Sequence, residues 1–297
     1  MDNCLNDVHV PVLEEEVIQH LKLKENGIYV DATLGLGGHT RRILEELKPA
    51  GRVIGFEWDE QAALIAAERL REFGERITII HRSYAELVEG LQEEGIEKVD
   101  GLLLDLGVSS LQLDRGDRGF SFQVDAPLDM RMDNRLQETA ADLVQRLSRD
   151  ELADIIYNYG EERQARRIAE FIVQAREKNT VLRTSQLAGI VAGAIPRKYH
   201  PKTKHVATRT FQALRIAVNR EFDNLVKILA AAPTVLVSGA RLCVITFHSL
   251  EDRIVKQSFS KNPEYTVVTR RPVSPGEKEL ACNPRARSAK LRVAERV

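Results

Sequence analysis

Apolar positions along the chain recur in two periods, one helical and one extended. Leu13, Val17, Ile18 and Leu21 fall three and four residues apart and predict a helix over Glu14–Leu21. The short run Ile28, Tyr29, Val30 closes on Asp31 and predicts a strand. A glycine-rich turn follows, and then Ile43, Leu44 and Leu47 define one face of a helix from Thr40. Val53, Ile54, Gly55 and Phe56 predict a second strand ending at Glu57, with a helix over 61–73 behind it that turns Leu64, Ile65, Leu70 and Phe73 inward. Residues 76–81 predict a third strand. Residues 99–106 are almost uniformly apolar, too short for a helix and bounded by Gly107, as in a central parallel strand covered on both faces. Asp105 stands near its end.

Beyond Gly107 the pattern changes to a long polar stretch rich in glycine and arginine, reaching Asp133. Ordinary connections run to about 4–6 residues, and loops this long are functional or disordered. From Ala140 to about 194 the periodicity is helical throughout, with helices predicted over 140–146, 149–157, 161–176 and 184–193. Pro196 and Pro201 interrupt it, and a longer helix is predicted over 210–229. A fifth strand over 241–247 leads into a helix with Ser249 as its cap and Asp252 at the third helical position. Strands over 265–269 and 290–294 bring the total to seven. The expected organisation is an α/β domain of residues 1–113 and 211–297, interrupted by a mainly helical domain over 114–210.

At 297 residues, 43% hydrophobic and 29% charged, the composition is that of an ordinary globular protein with ample length for a core. No apolar run approaches the ~18 residues of a membrane helix, and the start of the chain, with Asp2 and Asp7, lacks a signal peptide's basic and apolar regions. Cys4, Cys243 and Cys282 are far apart, supporting neither a disulfide framework nor a zinc site, so a reducing cytoplasm fits and no metal is expected. The net charge of -1 is unevenly spread. Residues 178–220 hold nine Lys or Arg and no acid, which leaves -10 for the rest of the chain. Such a block suits a polyanionic partner, although a solvated basic face has the same composition.

The first turn carries the chemistry. Gly35, Gly37 and Gly38 between strand and helix allow close backbone approach to a ligand at a helix N-terminus. A dinucleotide fingerprint would need glycine where Thr40 stands, and Asp31 would repel a pyrophosphate but could receive an ammonium group. Glu57, ending the second strand, is placed to accept both ribose hydroxyls of an adenosine. An amine near one carboxylate and a diol on another suit S-adenosylmethionine better than a nicotinamide cofactor. Tyr84, after the third strand, is placed to pack an adenine, though an aromatic there also suits plain core. Because ligands of open α/β sheets bind beyond the carboxyl ends of the strands, Asp31, Glu57 and Asp105 should converge. Phe120 and Phe122, with Arg115, Arg118 and Arg131, offer bases a stacking surface and phosphates a charge. Arg197, Lys198, Lys202, Lys204 and Arg209 extend that basic surface. His248, ending the fifth strand, is a second acid/base candidate after Asp105.

These residues resemble a known family. The segments Asp31-x-Thr-x-Gly-x-Gly-Gly-His39, Leu104-Asp-Leu-Gly-Val-Ser-Ser110 and Arg118-Gly-Phe-Ser-Phe122 are similar in order to the bacterial MraW family. So are Pro127-Leu-Asp-Met-Arg-Met-Asp133, Tyr159-Gly-Glu-Glu-Arg163, Ala207-Thr-Arg-Thr-Phe-Gln-Ala213, Phe247-His-Ser-Leu-Glu-Asp-Arg253 and Asn283-Pro-Arg-Ala-Arg-Ser288, together with His9-x-Pro-Val-Leu near the start. The resemblance implies a class I, Rossmann-like methyltransferase with a seven-stranded sheet and an inserted helical substrate domain. It would use S-adenosylmethionine to methylate N4 of a cytidine in the decoding centre of 16S ribosomal RNA, free or within the small subunit, with no membrane partner. It also implies cofactor contacts at Gly37, Gly38, His39, Glu57, Tyr84, Asp105 and Gln112. Glu57 stands where relatives often have Asp, and Tyr84 where Phe is frequent. Amino-methyltransferases commonly follow the catalytic acid with prolines and an aromatic, whereas here Leu-Gly-Val follows Asp105, so a stacking ring would come from Phe120 or Phe122. Competing readings are a methyltransferase of proteins or small molecules, a non-catalytic RNA-binding assembly factor, and a nicotinamide dehydrogenase.

Overall fold

In the computed structural model, which describes residues 11–108, 111–112 and 116–297, the apolar runs become strands. They are β1 (Ile28–Asp31), β2 (Arg52–Phe56), β3 (Ile77–Ile80), β4 (Val99–Asp105), β5 (Leu236–Thr246), β6 (Tyr265–Val267) and β7 (Lys290–Arg296). All join one sheet in the order β3-β2-β1-β4-β5-β7-β6. β1 to β5 are parallel, and β7 runs antiparallel between β5 and β6. That order and the single reversed strand are the class I methyltransferase sheet.

The uniform hydrophobicity of β4 follows from burial on two faces. Leu102 and Leu104 share one apolar cluster with Val30, Ile54, Phe56 and Val244. Leu103 points the other way, among Tyr29, Val53, Cys243 and Ile245. Helices α1 (Glu14–Leu21) and α2 (Gly38–Glu46) cover the Leu103 face with Val17, Leu21, Ile43 and Leu44. The opposite face receives α4 (Leu87–Glu93), α10 (Glu221–Val235) and α11 (Ser249–Lys261), through Leu87, Leu91, Leu225, Leu229, Val255 and Phe259. Helix α3 (Glu60–Arg69) packs Ala66 beside Leu34 and Leu70. A further short helix, α12 (Glu277–Cys282), precedes β7.

The described residues divide into two units: the sheet unit, within Met1–Ser109 and Phe222–Val297, and a helical unit, within Ser110–Glu221. The helical unit contains α5 (Ala140–Arg146), α6 (Arg149–Gly160), α7 (Ala165–Arg176), α8 (Thr184–Ala194) and α9 (Thr208–Asn219). Capping boxes start α5, with Thr139 and Asp142, and α6, with Ser148 and Glu151. Helix α6 packs on both α7 and α9, and α7 also packs on α8. A Cβ on Gly160 would come 2.5 Å from the Arg209 carbonyl oxygen, so only glycine lets α6 end this close to α9.

Several local expectations are corrected. The helix expected over 61–73 ends at Arg69 and is followed by a 3-10 segment, Arg71–Arg76, that is non-helical at Gly74. The helix expected over 210–229 is two helices. Arg220 adopts the left-handed conformation (φ 49°, ψ 40°) and closes α9, so α9 stays in the helical unit and the return to the sheet begins one helix later than residue 211. The cap of α11 is His248, whose backbone is extended, with Glu251 as the third helical residue; Ser249 lies inside the first turn. β5 starts at Leu236, five residues earlier than expected, while β6 stops at Val267. Among the described residues no helix is long and apolar enough to cross a membrane. Cys4, His9, Ser109, Ser110 and Arg115 lie outside the described residues.

Candidate active site

Four strand ends on the carboxyl edge of the sheet unit supply the candidate residues. After β1 the chain turns through Gly35 (φ 54°) to Gly37 (φ 80°), the left-handed residue that starts α2. A Cβ on Gly37 would sit 2.9 Å from Leu70 Cδ1, so position and conformation both require glycine. Glu57, directly after β2, locks this turn from the side: its Oε2 accepts the Gly35 N–H at 2.7 Å and its Oε1 the Asp59 N–H at 2.9 Å. The carboxyl is buried, and burial, which outweighs those two donors, raises its pKa from 4.5 to about 7.

Asp31 turns inward instead. It is 1% exposed, with Oδ2 accepting from the Thr40 hydroxyl at 2.8 Å and Oδ1 from the Thr33 N–H at 3.2 Å. The expected ammonium contact therefore lacks an accessible face, and Asp31 acts as the internal tie of the turn. Burial raises its pKa, against the opposing effects of His39 and the Thr40 hydroxyl. Thr33 reaches across to β4, where its Oγ1 accepts the Asp105 N–H at 2.6 Å.

His39, in the first turn of α2, points its Nε2 toward Asp105 Oδ2 at 3.6 Å, beyond hydrogen-bond range. Burial pushes the imidazole pKa down, but Asp105, Asp31 and Glu14 more than offset this and hold it above its ordinary value. Asp105 Oδ1 and His39 Nε2 are both buried without a hydrogen-bond partner among the described residues. Buried polar atoms are almost always partnered, so an adjacent orphaned acceptor and donor mark the place where a ligand completes the bonding. Tyr84 opens a short 3-10 turn after β3, capped by Ser83, and its ring lies 5.6 Å from that of Trp58, tilted 46°.

The comparisons with known proteins decide the family. Residues 6–297 match the MraW methylase family. The chain belongs to it. The ribosomal RNA small subunit methyltransferase H of Desulfotalea psychrophila is 56% identical over 98% of both chains. The proteins of the same name from Geotalea uraniireducens and Clostridioides difficile are 52% and 45% identical, each over 97% of this chain and 98% and 99% of their own lengths. The solved structure of an rRNA methylase from Streptococcus thermophilus is similar with a TM-score of 0.41 at 13% identity, covering 96% of this chain and 93% of that one.

The cofactor of this methylase is S-adenosylmethionine, and the pocket residues fit it. Glu57 presents a buried acid at the end of β2, the positive-φ glycines open the backbone at the start of α2, and the orphaned Asp105 and His39 atoms require polar partners. Trp58, the chain's single tryptophan, is marked in the sequence only by its place directly after Glu57; its contact with Tyr84 arises on folding. Thr33 and Thr40 were missed as organisers because nothing in their spacing reveals the carboxylates they meet.

Other expected residues are distributed differently. Gln112 is a buried member of the helical unit. Arg118 is spent on its own loop, donating to the carbonyls of Arg131 at 2.5 Å and Met132 at 3.0 Å. Arg131 pairs with Asp129 at 2.7 and 2.8 Å and also donates to Leu136 O. Phe120 is buried beneath Arg118, and Phe122 packs between His205 and Phe211, with ring centroids at 4.6 and 5.0 Å. These four build the loop, with Phe120 buried and Phe122 partly buried. Arg209 donates to Glu161 O. Arg197, Lys198, Lys202 and Lys204 are exposed and make no ion pair among the described residues. Tyr199, 56% exposed, stands among them with Lys198 Nζ 4.9 Å from its ring centre. His248 is committed to its helix: Nδ1 accepts the Glu251 N–H at 3.4 Å, while Nε2 lies 3.1 Å from Glu251 Oε1 without closing a hydrogen bond.

Proposed function

We propose that the protein methylates the exocyclic N4 amine of a cytidine in the decoding centre of small-subunit ribosomal RNA. The names of its relatives, at about half identity over nearly the whole length, support the ribosomal RNA substrate. The observation that carries the chemistry is the orphaned Oδ1 of Asp105, a buried acceptor at the end of the central strand.

When bound, S-adenosylmethionine supplies a methyl group activated by its positive sulfur. A cytosine amine is a weak nucleophile because its lone pair is delocalised into the ring. The protein's task is therefore to hold the nitrogen in line and to receive the proton it loses. Asp105 Oδ1 accepts a hydrogen bond from the amine, orients it, and takes that proton as the nitrogen–carbon bond forms. His39, held toward the protonated state, keeps the Asp105 carboxylate company from the other side. Glu57 binds the ribose hydroxyls, and the α2 N-terminus receives the cofactor's carboxylate. Arg197, Lys198, Lys202, Lys204 and Tyr199 hold the RNA by phosphate contact and stacking.

The test is transfer of labelled methyl from S-adenosylmethionine to unmodified small ribosomal subunits and to free ribosomal RNA, with nucleoside analysis of the product. Label in N4-methylcytidine, or in its 2′-O-methylated form, is the expected result. Label in protein only, or none with cofactor binding intact, overturns the proposal. Asp105→Asn, which keeps shape but loses the proton acceptor, is expected to lower kcat by about 10²–10⁴-fold while the protein stays folded.

A further inference from the structure

A cavity of about 290 Å³ opens on the sheet unit where β5 ends. Its walls are Phe247, His248 and Ser249 from the β5–α11 junction, Ser274, Pro275 and Leu280 from the segment before and within α12, and Arg287 to Lys290. The site described above does not use it. Phe247 lies against the turn after β4, for a Cβ on Gly107 would meet its ring at 3.4 Å. The cavity therefore sits one strand over from Asp105 on the same carboxyl edge, adjacent strands being about 4.8 Å apart.

Its chemistry is one-sided. No acid lines it, whereas Arg287 and Lys290 do, with the hydroxyls of Ser274 and Ser288 beside them. Arg287 is exposed and makes no ion pair among the described residues. Lys290 has only a distant partner, Asp252 at 3.7 Å, and that carboxylate is already held by Arg292 through contacts of 2.6 and 3.1 Å. Glu251, the nearest acid in sequence to the mouth, is turned into the backbone, accepting the Phe247 and His248 N–H groups at 2.8 and 3.3 Å. The N-terminus of the 13-residue α11 also faces this end. Around the cavity, residues 270–290 hold six Lys or Arg against two Glu, a second basic segment outside the one in the helical unit. Phe247, Pro275 and Leu280 supply an apolar wall opposite the cations.

We propose that this cavity binds one nucleotide of the substrate RNA next to the methylated base, its phosphate on Arg287 and Lys290 and its sugar or base against Phe247 and Pro275. This rests on the RNA-methylating reading above. It gives the Asn283–Ser288 motif a task and makes His248 a wall of the subsite and a helix cap instead of a proton carrier.

The experiment is steady-state methyl transfer to unmodified small ribosomal subunits over a series of salt concentrations. It compares wild type with Arg287→Ala, Arg287→Ala/Lys290→Ala, Arg287→Lys, and Arg71→Ala as an exposed cation of the same unit far along the chain. The double variant is expected to raise KM for the RNA about tenfold, with kcat within about twofold, and to flatten the slope of log(kcat/KM) against log salt by about 0.7, the contribution of one single-strand phosphate contact. Arg287→Lys should recover most of the loss, and Arg71→Ala should change neither quantity. Calorimetric affinity for S-adenosylmethionine and the melting temperature should match wild type, which separates loss of a contact from loss of fold; if the double variant melts early, Arg287→Ala and Arg287→Lys carry the comparison alone. An active wild type with KM and salt slope unchanged in these variants overturns the subsite, as does an equal loss in Arg71→Ala. An inactive wild type overturns the RNA-methylating reading itself.

Discussion

Glu57 sets how cofactor binding should respond to pH. Burial places its pKa at about 7, and in the proposed ribose contact only the ionised carboxylate accepts from two hydroxyls while also holding the Gly35 and Asp59 amides. Affinity for S-adenosylmethionine should therefore fall as pH drops through about 7, and Glu57→Gln should bind about 10- to 100-fold more weakly with that dependence gone. Calorimetric titrations across this range check both. The stability sign is opposite. A carboxyl whose folded pKa lies above its ordinary 4.5 makes the apoprotein less stable as pH rises between the two values, so the wild-type melting temperature should decline across that window relative to Glu57→Gln. His39 gives a second residue-level check on Asp105. Because that carboxylate is the largest influence raising the imidazole pKa, Asp105→Asn should move the His39 titration downward in an NMR experiment. An unmoved titration would mean that the two side chains are not coupled.

Between elements, one side chain ties the loop over 127–133 to a helix. Asn219, the last residue of α9, accepts the Met132 N–H at 2.7 Å and donates to Met130 O at 2.8 Å and Arg215 O at 2.9 Å. Met130 is in the left-handed region (φ 64°), an unfavourable conformation for a residue with a side chain, and this clamp keeps it there. Asn219→Ala should cost about 2–4 kcal/mol in urea unfolding, since the buried Met132 N–H and Met130 carbonyl lose their partners. Such ties explain what a sequence can and cannot reveal. The places of Glu57 and Asp105 at strand ends were legible because an acid closing an apolar run has no packing reason to be there, and the central strand β4 because two buried faces leave a continuous hydrophobic signature. The inward turn of Asp31 was not legible, since its partners Thr33 and Thr40 look like any turn residues. Neither was the break at Arg220, where a left-handed arginine leaves no mark in periodicity. Arg118 and Arg131 read as phosphate ligands because charge is visible in sequence, whereas the loop carbonyls and Asp129 that absorb it become neighbours only on folding.

On the scale of the whole molecule, charge and chemistry are divided. The carboxyl edge of the sheet unit carries Glu57 and Asp105, with the orphaned atoms of Asp105 and His39, while the acid-free stretch over 178–220 puts its nine cations in the helical unit. The division predicts that RNA affinity and cofactor affinity can be changed separately. Replacing Lys198, Lys202 and Lys204 together by alanine removes exposed cations that make no ion pair among the described residues, so stability should stay within about 0.5 kcal/mol of wild type. Binding to ribosomal RNA should weaken at low salt, and the salt dependence should flatten by about 2 in the log–log slope, from about 0.7 per lost contact. At high salt the variant and wild type should converge, because the lost contribution is counterion release. Tyr199→Ala should behave differently. It removes stacking worth about 1–3 kcal/mol per base and leaves the slope unchanged, so its deficit should persist at high salt. Fluorescence anisotropy with labelled ribosomal RNA fragments at several salt concentrations separates the two patterns, with S-adenosylmethionine affinity as the constant reference. If the triple variant keeps the wild-type slope, the basic stretch is a solvated face, and the RNA must be held by other cations of the protein.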